Sequence, residues 1–460
     1  MCENEDDIIT VGKYVIIKKL NFKKIYKVTM NGILMLGKDA VQMHEIIGKP
    51  FWTTFEMVQV KGGKRTYSLK EVVETESLND LLSELPSGSD NRSIIDDGTS
   101  QKLSKEQILQ LQESGKSGKE IVGSLIENNK SFLERTEYSQ EKYLKKKEQK
   151  YLRYITIWKP SINLLHDIYF KLDHNKIGNL RMDSLAQLLS YSDVQSDGLY
   201  ILYDSGSHGL PAAAMLNRIG SNTKGHLINL HPGNEPQVVL INAMNFPKEQ
   251  SDRLHNVNIY GFLRLYYQGT SAVLNKISKK HHVNKQLPQV EEEIGMKEET
   301  LDNNELNDEI KHNIVNELDE DVKHNTNGSL KRKRNESDKC KSAKPTPAKK
   351  PKWLPKTQEA VDLVNGSKAR GLVIIAREHP LNIVIALLPF LGPSRPFVIY
   401  HVHREPLLET YMTLKQKQNV INLKLFSNFL RSYQILPDRT HPDILTSDTG
   451  GYLLSGYLVQ

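Results

Sequence analysis

Five short, uninterrupted apolar runs between residues 198 and 401 constrain the fold of the chain most: GLYILYD (198–204), HLINL (226–230), VVLIN (238–242), GLVIIA (371–376) and FVIYH (397–401). A strand with one face in water alternates apolar with polar residues. Continuous aliphatic runs instead require burial on both faces, the condition of a parallel strand in a sheet covered by helices. Segments with helical spacing alternate with such runs, as SLAQLLSY (184–191) precedes the first of them. The predicted fold class is α/β, a doubly wound, Rossmann-like domain over residues 156–269 and 357–460.

Residues 270–356 break this pattern, first with an acidic stretch (EEEIGMKEETLDNNELNDEI) and then with a basic one (LKRKRNESDKCKSAKPTPAKKPK). So few apolar residues cannot offset an ordering entropy of about 1–2 kcal/mol per residue, and the segment reads as a disordered insertion. Ahead of the α/β domain, residues 1–75 carry short β-rich runs (ITVGKYVIIKKL, KIYKVTM, GILMLG, FWTTFEMVQV) separated by Gly-containing turns at Asn31-Gly32 and Gly62-Gly63. They predict a small N-terminal β-barrel. Residues 76–155 read as a basic loop and helical linker, with amphipathic helices over 103–115 and 118–132 that Ser104 and Ser117 would cap.

Several classes of chemistry lack their residues. The two cysteines, Cys2 and Cys340, offer no disulfide framework and no metal-ligand spacing. His281-His282 lie in the insertion described above with no Cys or carboxylate at ligand spacing, and His401 and His403 alternate along a strand end. Hydrolase, P-loop and zincin motifs are missing. The N-terminus is acidic where a targeting peptide would be basic. The longest apolar run, Leu381 to Leu391, is too short to span a bilayer, so a soluble intracellular protein without a membrane partner is expected.

A Rossmann-like sheet that binds S-adenosylmethionine (AdoMet) places a Gly-rich turn after its first strand, because only a backbone without Cβ lets the cofactor approach. An acidic residue ending the second strand then holds the ribose hydroxyls. Here the first strand leads into Asp204-Ser205-Gly206-Ser207-His208-Gly209, a damaged E-x-G-x-G-x-G turn in which His208 stands where a glycine is needed. The second strand ends at His231-Pro232-Gly233 without a carboxylate. The strand ending at Ala376 continues as Arg377-Glu378-His379-Pro380 in place of a base-presenting Asp-Leu-Pro-Pro loop. Joint loss at three edges of one sheet points to a degenerate methyltransferase with no catalytic and no cofactor-binding residues. An AdoMet-dependent RNA methyltransferase acting alone, or a translation-related RNA-binding protein, are the rival readings.

Four segments carry a resemblance: NRSIIDDGTSQKLS from Asn91, EKYLKKKEQKY from Glu141, ALLPFLGPSRPFVIY from Ala386 and LPDRTHPDILTSDTGGYLLSGY from Leu436. Together they resemble the Trm6/Gcd10 family, the non-catalytic subunits of tRNA (adenine-58-N1) methyltransferase. The resemblance implies a nuclear heterotetramer of two plus two, in which this chain contributes tRNA-binding surface and the catalytic sister subunit binds AdoMet.

Folded tRNA presents phosphates and shape more than base edges, so Lys and Arg residues are the expected contacts. The densest segment holds Lys142, Lys145, Lys146, Lys147 and Lys150, of which 142, 146 and 150 would share one helical face. A second candidate is the loop of Asn91, Arg92, Ser100, Gln101 and Lys102. Lys176, Arg181, Arg377, Lys415 and Lys417 complete the set. Lys331-Arg332-Lys333-Arg334 and Lys349-Lys350-Pro351-Lys352 resemble nuclear import signals.

Overall fold

The computed structural model describes residues 7–60, 65–73, 86, 88, 90, 100–113, 117–283, 351–435, 440–442 and 450–459. Residues 1–267 and 353–460 form one unit and residues 268–352 another.

Strands β1 (Tyr14–Lys19), β2 (Phe22–Lys27), β3 (Ile33–Leu36), β4 (Asp39–Gln42), β5 (Thr54–Gln59), β6 (Thr66–Val72) and β7 (Tyr154–Trp158) build a seven-stranded sheet in the order β2-β1-β7-β5-β6-β4-β3. Their period-two pattern sends Val15, Ile17, Phe55, Met57, Tyr67, Leu69, Ile155 and Ile157 into one core. The Asn31-Gly32 turn does not make a hairpin of its neighbours; it connects β2 to β3, which lie at opposite edges of the sheet. The Gly62-Gly63 turn lies outside the described residues.

The periodicity assigns residues 76–155 to a linker, whereas β7 is a central strand of the barrel. Ile17 pairs with Ile157 on one side and Phe55 with Ile155 on the other. The alternation in YITIW carries this information, but its partners lie about a hundred residues away in sequence, beyond the reach of any local pattern.

Between β6 and β7 lie α1 (Lys105–Glu113), α2 (Gly118–Glu127) and α3 (Glu137–Tyr151). Both predicted caps are in place. Ser117 accepts from the Glu120 amide while the Glu120 carboxylate accepts from the Ser117 amide, and Ser104 with Gln107 repeats the arrangement. Ile121, Val122, Leu125, Phe132 and Leu144 close a small core beneath α3.

The second sheet runs β10-β9-β8-β11-β12-β16-β13. It comprises β8 (Leu199–Asp204), β9 (His226–His231), β10 (Leu254–Asn258), β11 (Gly371–Ile375), β12 (Pro396–His401), β13 (Val420–Phe426) and β16 (Tyr452–Leu458). The first five are parallel, and β16 lies antiparallel between β12 and β13. Every residue of β8, β11 and β12 is buried, which is why these strands read as continuous apolar runs. A two-residue pair, β14 (Tyr433–Gln434) with β15 (His441–Pro442), precedes β16.

Around this sheet lie α4 (Ile162–Asp173), α5 (Met182–Tyr191), α6 (Leu210–Ile219), α7 (Val239–Ala243), α8 (Lys248–Asp252), α9 (Ile259–Val283), α10 (Leu354–Gly366), α11 (Leu381–Leu387) and α12 (Arg404–Lys417). The run VVLIN is corrected here: it belongs to helix α7, which packs against α6, and the strand completing the sheet is β10. A five-residue apolar run looks the same as a buried helical turn or a buried strand. As an edge strand, β10 has the half-exposed sequence LHNVN and no apolar run. Helix α9 is interrupted at Gly269, whose φ of 75° is non-helical.

Candidate cofactor turn and nucleic-acid interface

Strand β8 delivers Asp204 to the start of the Gly-containing turn. Its carboxylate is buried and serves as the turn's internal scaffold. Oδ1 accepts from the amides of Gly206 and Ser207, both at 3.0 Å, and Oδ2 accepts from the Ser207 hydroxyl at 2.5 Å. Burial pushes the carboxyl pKa above its usual range, against the pull of those three hydrogen bonds.

His208 keeps the backbone of the glycine it replaces, at φ 52°. The left-handed region costs a residue with a Cβ about 1–2 kcal/mol. The loop before α7 and the first turn of that helix hold it there: the His208 amide donates to Gln237 Oε1 at 2.8 Å and its carbonyl accepts from the Leu240 amide at 3.1 Å. Its imidazole lies 5.6 Å from the Tyr169 ring. A Cβ on Gly209 would lie 2.5 Å from the Gln237 carbonyl oxygen, so the close approach of this loop requires glycine at 209.

Arg377 comes from the loop after β11 and lies across the turn. Its Nη2 donates to the Gly206 carbonyl at 2.6 Å and the Asn175 carbonyl at 2.7 Å, and its amide donates to Ser205 Oγ at 2.8 Å. A Cβ built on Gly206 would lie 2.7 Å from Arg377 Nε, so the guanidinium rests on the bare face of that glycine. Beside it, the Tyr203 hydroxyl hydrogen-bonds Glu378, and burial together with that carboxylate pushes the phenol pKa far above its usual range.

At the end of β9, His231 is buried, and burial holds its imidazole below the usual pKa, hence neutral at pH 7. The following turn is fixed to α9: Asn258 Nδ2 donates to the carbonyls of Pro232 at 3.2 Å and Gly233 at 2.8 Å, and Asn258 Oδ1 accepts from the Gly261 amide at 3.0 Å.

The candidate RNA contacts fall into five places, and Asn91 and Arg92 lie outside the described residues. On α3, Lys142, Lys145, Lys146 and Lys150 are exposed, with Lys145 paired to Glu141 at 2.7 Å. Lys147 is half-buried over the Tyr143 ring at 5.0 Å, and desolvation holds its pKa below the usual lysine range. The loop of Ser100, Gln101 and Lys102 runs beside residues 128–130, through the Ser100 carbonyl and the Lys102 amide. The Gln101 side chain is engaged there, donating to the Leu125 carbonyl at 2.9 Å and accepting from the Leu103 amide at 3.2 Å. Leu103, next in the chain, packs against the core that holds Leu144 and Tyr151 of α3, so this loop and the lysine helix form adjoining surfaces.

Lys176 is half-buried next to Asn175, whose carbonyl Arg377 engages, so these two candidates meet at the turn. Arg181 is bound in a fork to Asp183 at 2.6 and 2.7 Å and donates to the Asn428 carbonyl at 2.9 Å. Lys415 and Lys417 are exposed in the last turn of α12.

Among the described residues no three His, Cys, Asp or Glu side chains gather as a metal site. His401 Nδ1 accepts from the His403 amide at 3.0 Å, which fixes the turn after β12. No described helix is long and apolar enough to cross a membrane. A cleft of about 690 Å³ at the ends of β9 and β10 carries Tyr260, Arg264, Trp353 and Lys356. No sequence pattern marks it, because its walls come from both sides of the insertion.

Known proteins match the chain over nearly its full length. The tRNA (adenine(58)-N(1))-methyltransferase non-catalytic subunit of Mus musculus is 33% identical, over 99% of this chain and 89% of the mouse protein. Its Dictyostelium discoideum counterpart is 27% identical, over 98% of this chain and 79% of that protein. Among solved structures, a SAM-dependent O-methyltransferase from Thermotoga maritima aligns with a TM-score of 0.46 at 10% identity, covering 100% of this chain and 98% of that one. The Gcd10p family model matches residues 8–310, and the chain belongs to that family.

Proposed function

We propose that this chain is a non-catalytic subunit of a tRNA (adenine-58-N1) methyltransferase, presenting tRNA to a sister subunit that binds AdoMet and transfers the methyl group. Arg377 carries this reading. AdoMet needs the bare face of Gly206, which the guanidinium covers, and a carboxylate for its ribose, where His231 stands. The residues of this turn do not fit AdoMet, so cofactor and chemistry belong to the partner.

The exposed lysines of α3 and the adjoining 100–102 loop meet the tRNA backbone, with Lys415 and Lys417 as a further basic patch. The sister subunit docks on the edge formed by β13 and the segment after it, where Ile421, Phe429, Leu430 and Ile435 are 58%, 87%, 51% and 80% exposed. Apolar patches of this kind mark protein interfaces. Two copies of each subunit assemble, and the two basic clusters of the insertion direct the complex to the nucleus.

The test is AdoMet calorimetry and methyl transfer to tRNA, on this chain alone and on the co-expressed pair. The pair is expected to bind AdoMet and methylate while the chain alone does neither; AdoMet binding and methylation by the chain alone would overturn the assignment.

A further inference from the structure

The cleft at the carboxyl ends of β9 and β10 has His231 of the degenerate cofactor site on its wall and extends from there to side chains of α9 and of the segment around Trp353. Ligands of parallel α/β sheets collect at this end of the strands, and about 690 Å³ lies within the range of small-molecule sites. Two aromatic side chains stand open at its rim: Tyr260 on the first turn of α9, 66% exposed, and Trp353 just before α10, 43% exposed. The Trp353 ring lies 3.7 Å from where a Cβ of Gly261 would be, so it stands over the start of α9.

Two cations accompany the rings at helical spacing, Arg264 one turn after Tyr260 and Lys356 three residues after Trp353. Both are exposed, and neither makes a hydrogen bond or ion pair among the described residues. Among the described residues no Asp or Glu lines the cleft. The inner wall is mostly apolar, with Pro232, Val238 and Val257, and carries polar groups in the half-buried Asn256 and the neutral imidazole of His231.

Open aromatic faces over a largely apolar wall, with two cations that have no partner and no carboxylate in the lining among the described residues, select a ligand that is flat at one end and anionic at the other. We propose that this cleft binds a nucleotide, with its base against Tyr260 and Trp353 and its phosphate held by Arg264 and Lys356. A free mononucleotide and a nucleotide unit of bound RNA share this chemistry; only the second source rests on the tRNA-binding reading above.

The test uses the full chain, with 5′-AMP and 5′-UMP in calorimetry and a labelled single-stranded pentaribonucleotide in fluorescence anisotropy at fixed ionic strength. Wild type is expected to saturate, AMP ahead of UMP because a purine stacks over more area. R264E/K356E is expected to weaken binding at least tenfold, and Tyr260→Ala about fivefold, with unchanged circular dichroism. R264Q/K356Q replaces the charge-reversed variant if that one misfolds.

Saturable binding of the mononucleotides identifies a free nucleotide as ligand, and binding of the pentamer alone identifies RNA. No saturation by any probe at millimolar concentration, or binding that all variants leave intact, overturns the proposal. Gel shifts with whole tRNA run in parallel. Equal tRNA binding by wild type and R264E/K356E, with no nucleotide binding, would sink the cleft and leave the tRNA reading standing; no tRNA binding by wild type or by its complex would sink the tRNA reading.

Discussion

Asp204 sits inside the turn on which the functional assignment depends, and replacing it offers a quantitative test of that geometry. Asp204→Ala strips the acceptor from the Gly206 and Ser207 amides, which are buried, and from the Ser207 hydroxyl, on a fully buried residue. A buried polar group left without a partner costs about 1–3 kcal/mol, so two amides and a hydroxyl give about 3–5 kcal/mol after partial relaxation. Asp204→Asn keeps an oxygen for both amides and presents its NH2 to Ser207 Oγ, which can accept; its expected cost is about 1–2 kcal/mol. Urea unfolding at pH 7, with the slope m unchanged, measures both. An alanine variant destabilised by less than about 1 kcal/mol, or as mildly as the asparagine variant, would refute the scaffold role.

Other consequences of the structure can be checked in similar ways. His166, His226, His231 and His255 all have pKa values held below their ordinary 6.5, chiefly by burial. The unfolded chain therefore takes up protons first as pH falls, so stability is full above about pH 6.5 and declines below it; a urea midpoint that does not move between pH 7 and pH 5 contradicts this. K142E/K146E/K150E is expected to weaken tRNA binding by the complex at least tenfold and to lower the log–log salt slope by about 2–3. Gln101→Ala, which loses contacts to Leu125 and Leu103, is expected to cost about 1–2 kcal/mol of stability and to leave that slope alone. Ile421→Asp combined with Phe429→Asp is expected to abolish co-purification of the sister subunit, and an intact complex in size-exclusion chromatography would move the interface elsewhere.

The parts of the fold that could be read from the sequence are those buried on both faces. β8, β9, β11 and β12 announce themselves as unbroken apolar runs, whereas the edge strand β10 and the short helix α7 exchange signals, one too polar and the other too apolar for its role. The spacing of Asp204, Gly206, His208 and Gly209 marks the turn, because a glycine motif is local. Arg377 acts on Gly206 from 171 residues away, and that contact exists only once β8 and β11 pair. The exposure of the α3 lysines follows from helical spacing around the buried Leu144 and Tyr151. For Arg181 and Gln101, composition indicates polar side chains, but only the fold supplies Asp183, Asn428 and Leu125 as their partners.

The central position of β7 means that the amino-terminal half is not a module that can be cut at residue 75. Ribosomal synthesis must reach Trp158 before β1 and β5 acquire the strand that lies between them, so the nascent barrel waits, open along its middle, while the three helices are made. Closing a loop of that length costs only a few kcal/mol, since the penalty grows with the logarithm of its length, but it makes the step slow. A fragment ending before β7 would expose two unsatisfied strand edges and be prone to aggregate. The completed barrel returns the favour to α3: the lysine helix runs directly into β7 and is anchored by a strand hydrogen-bonded on both sides, so its charges stand on a rigid support.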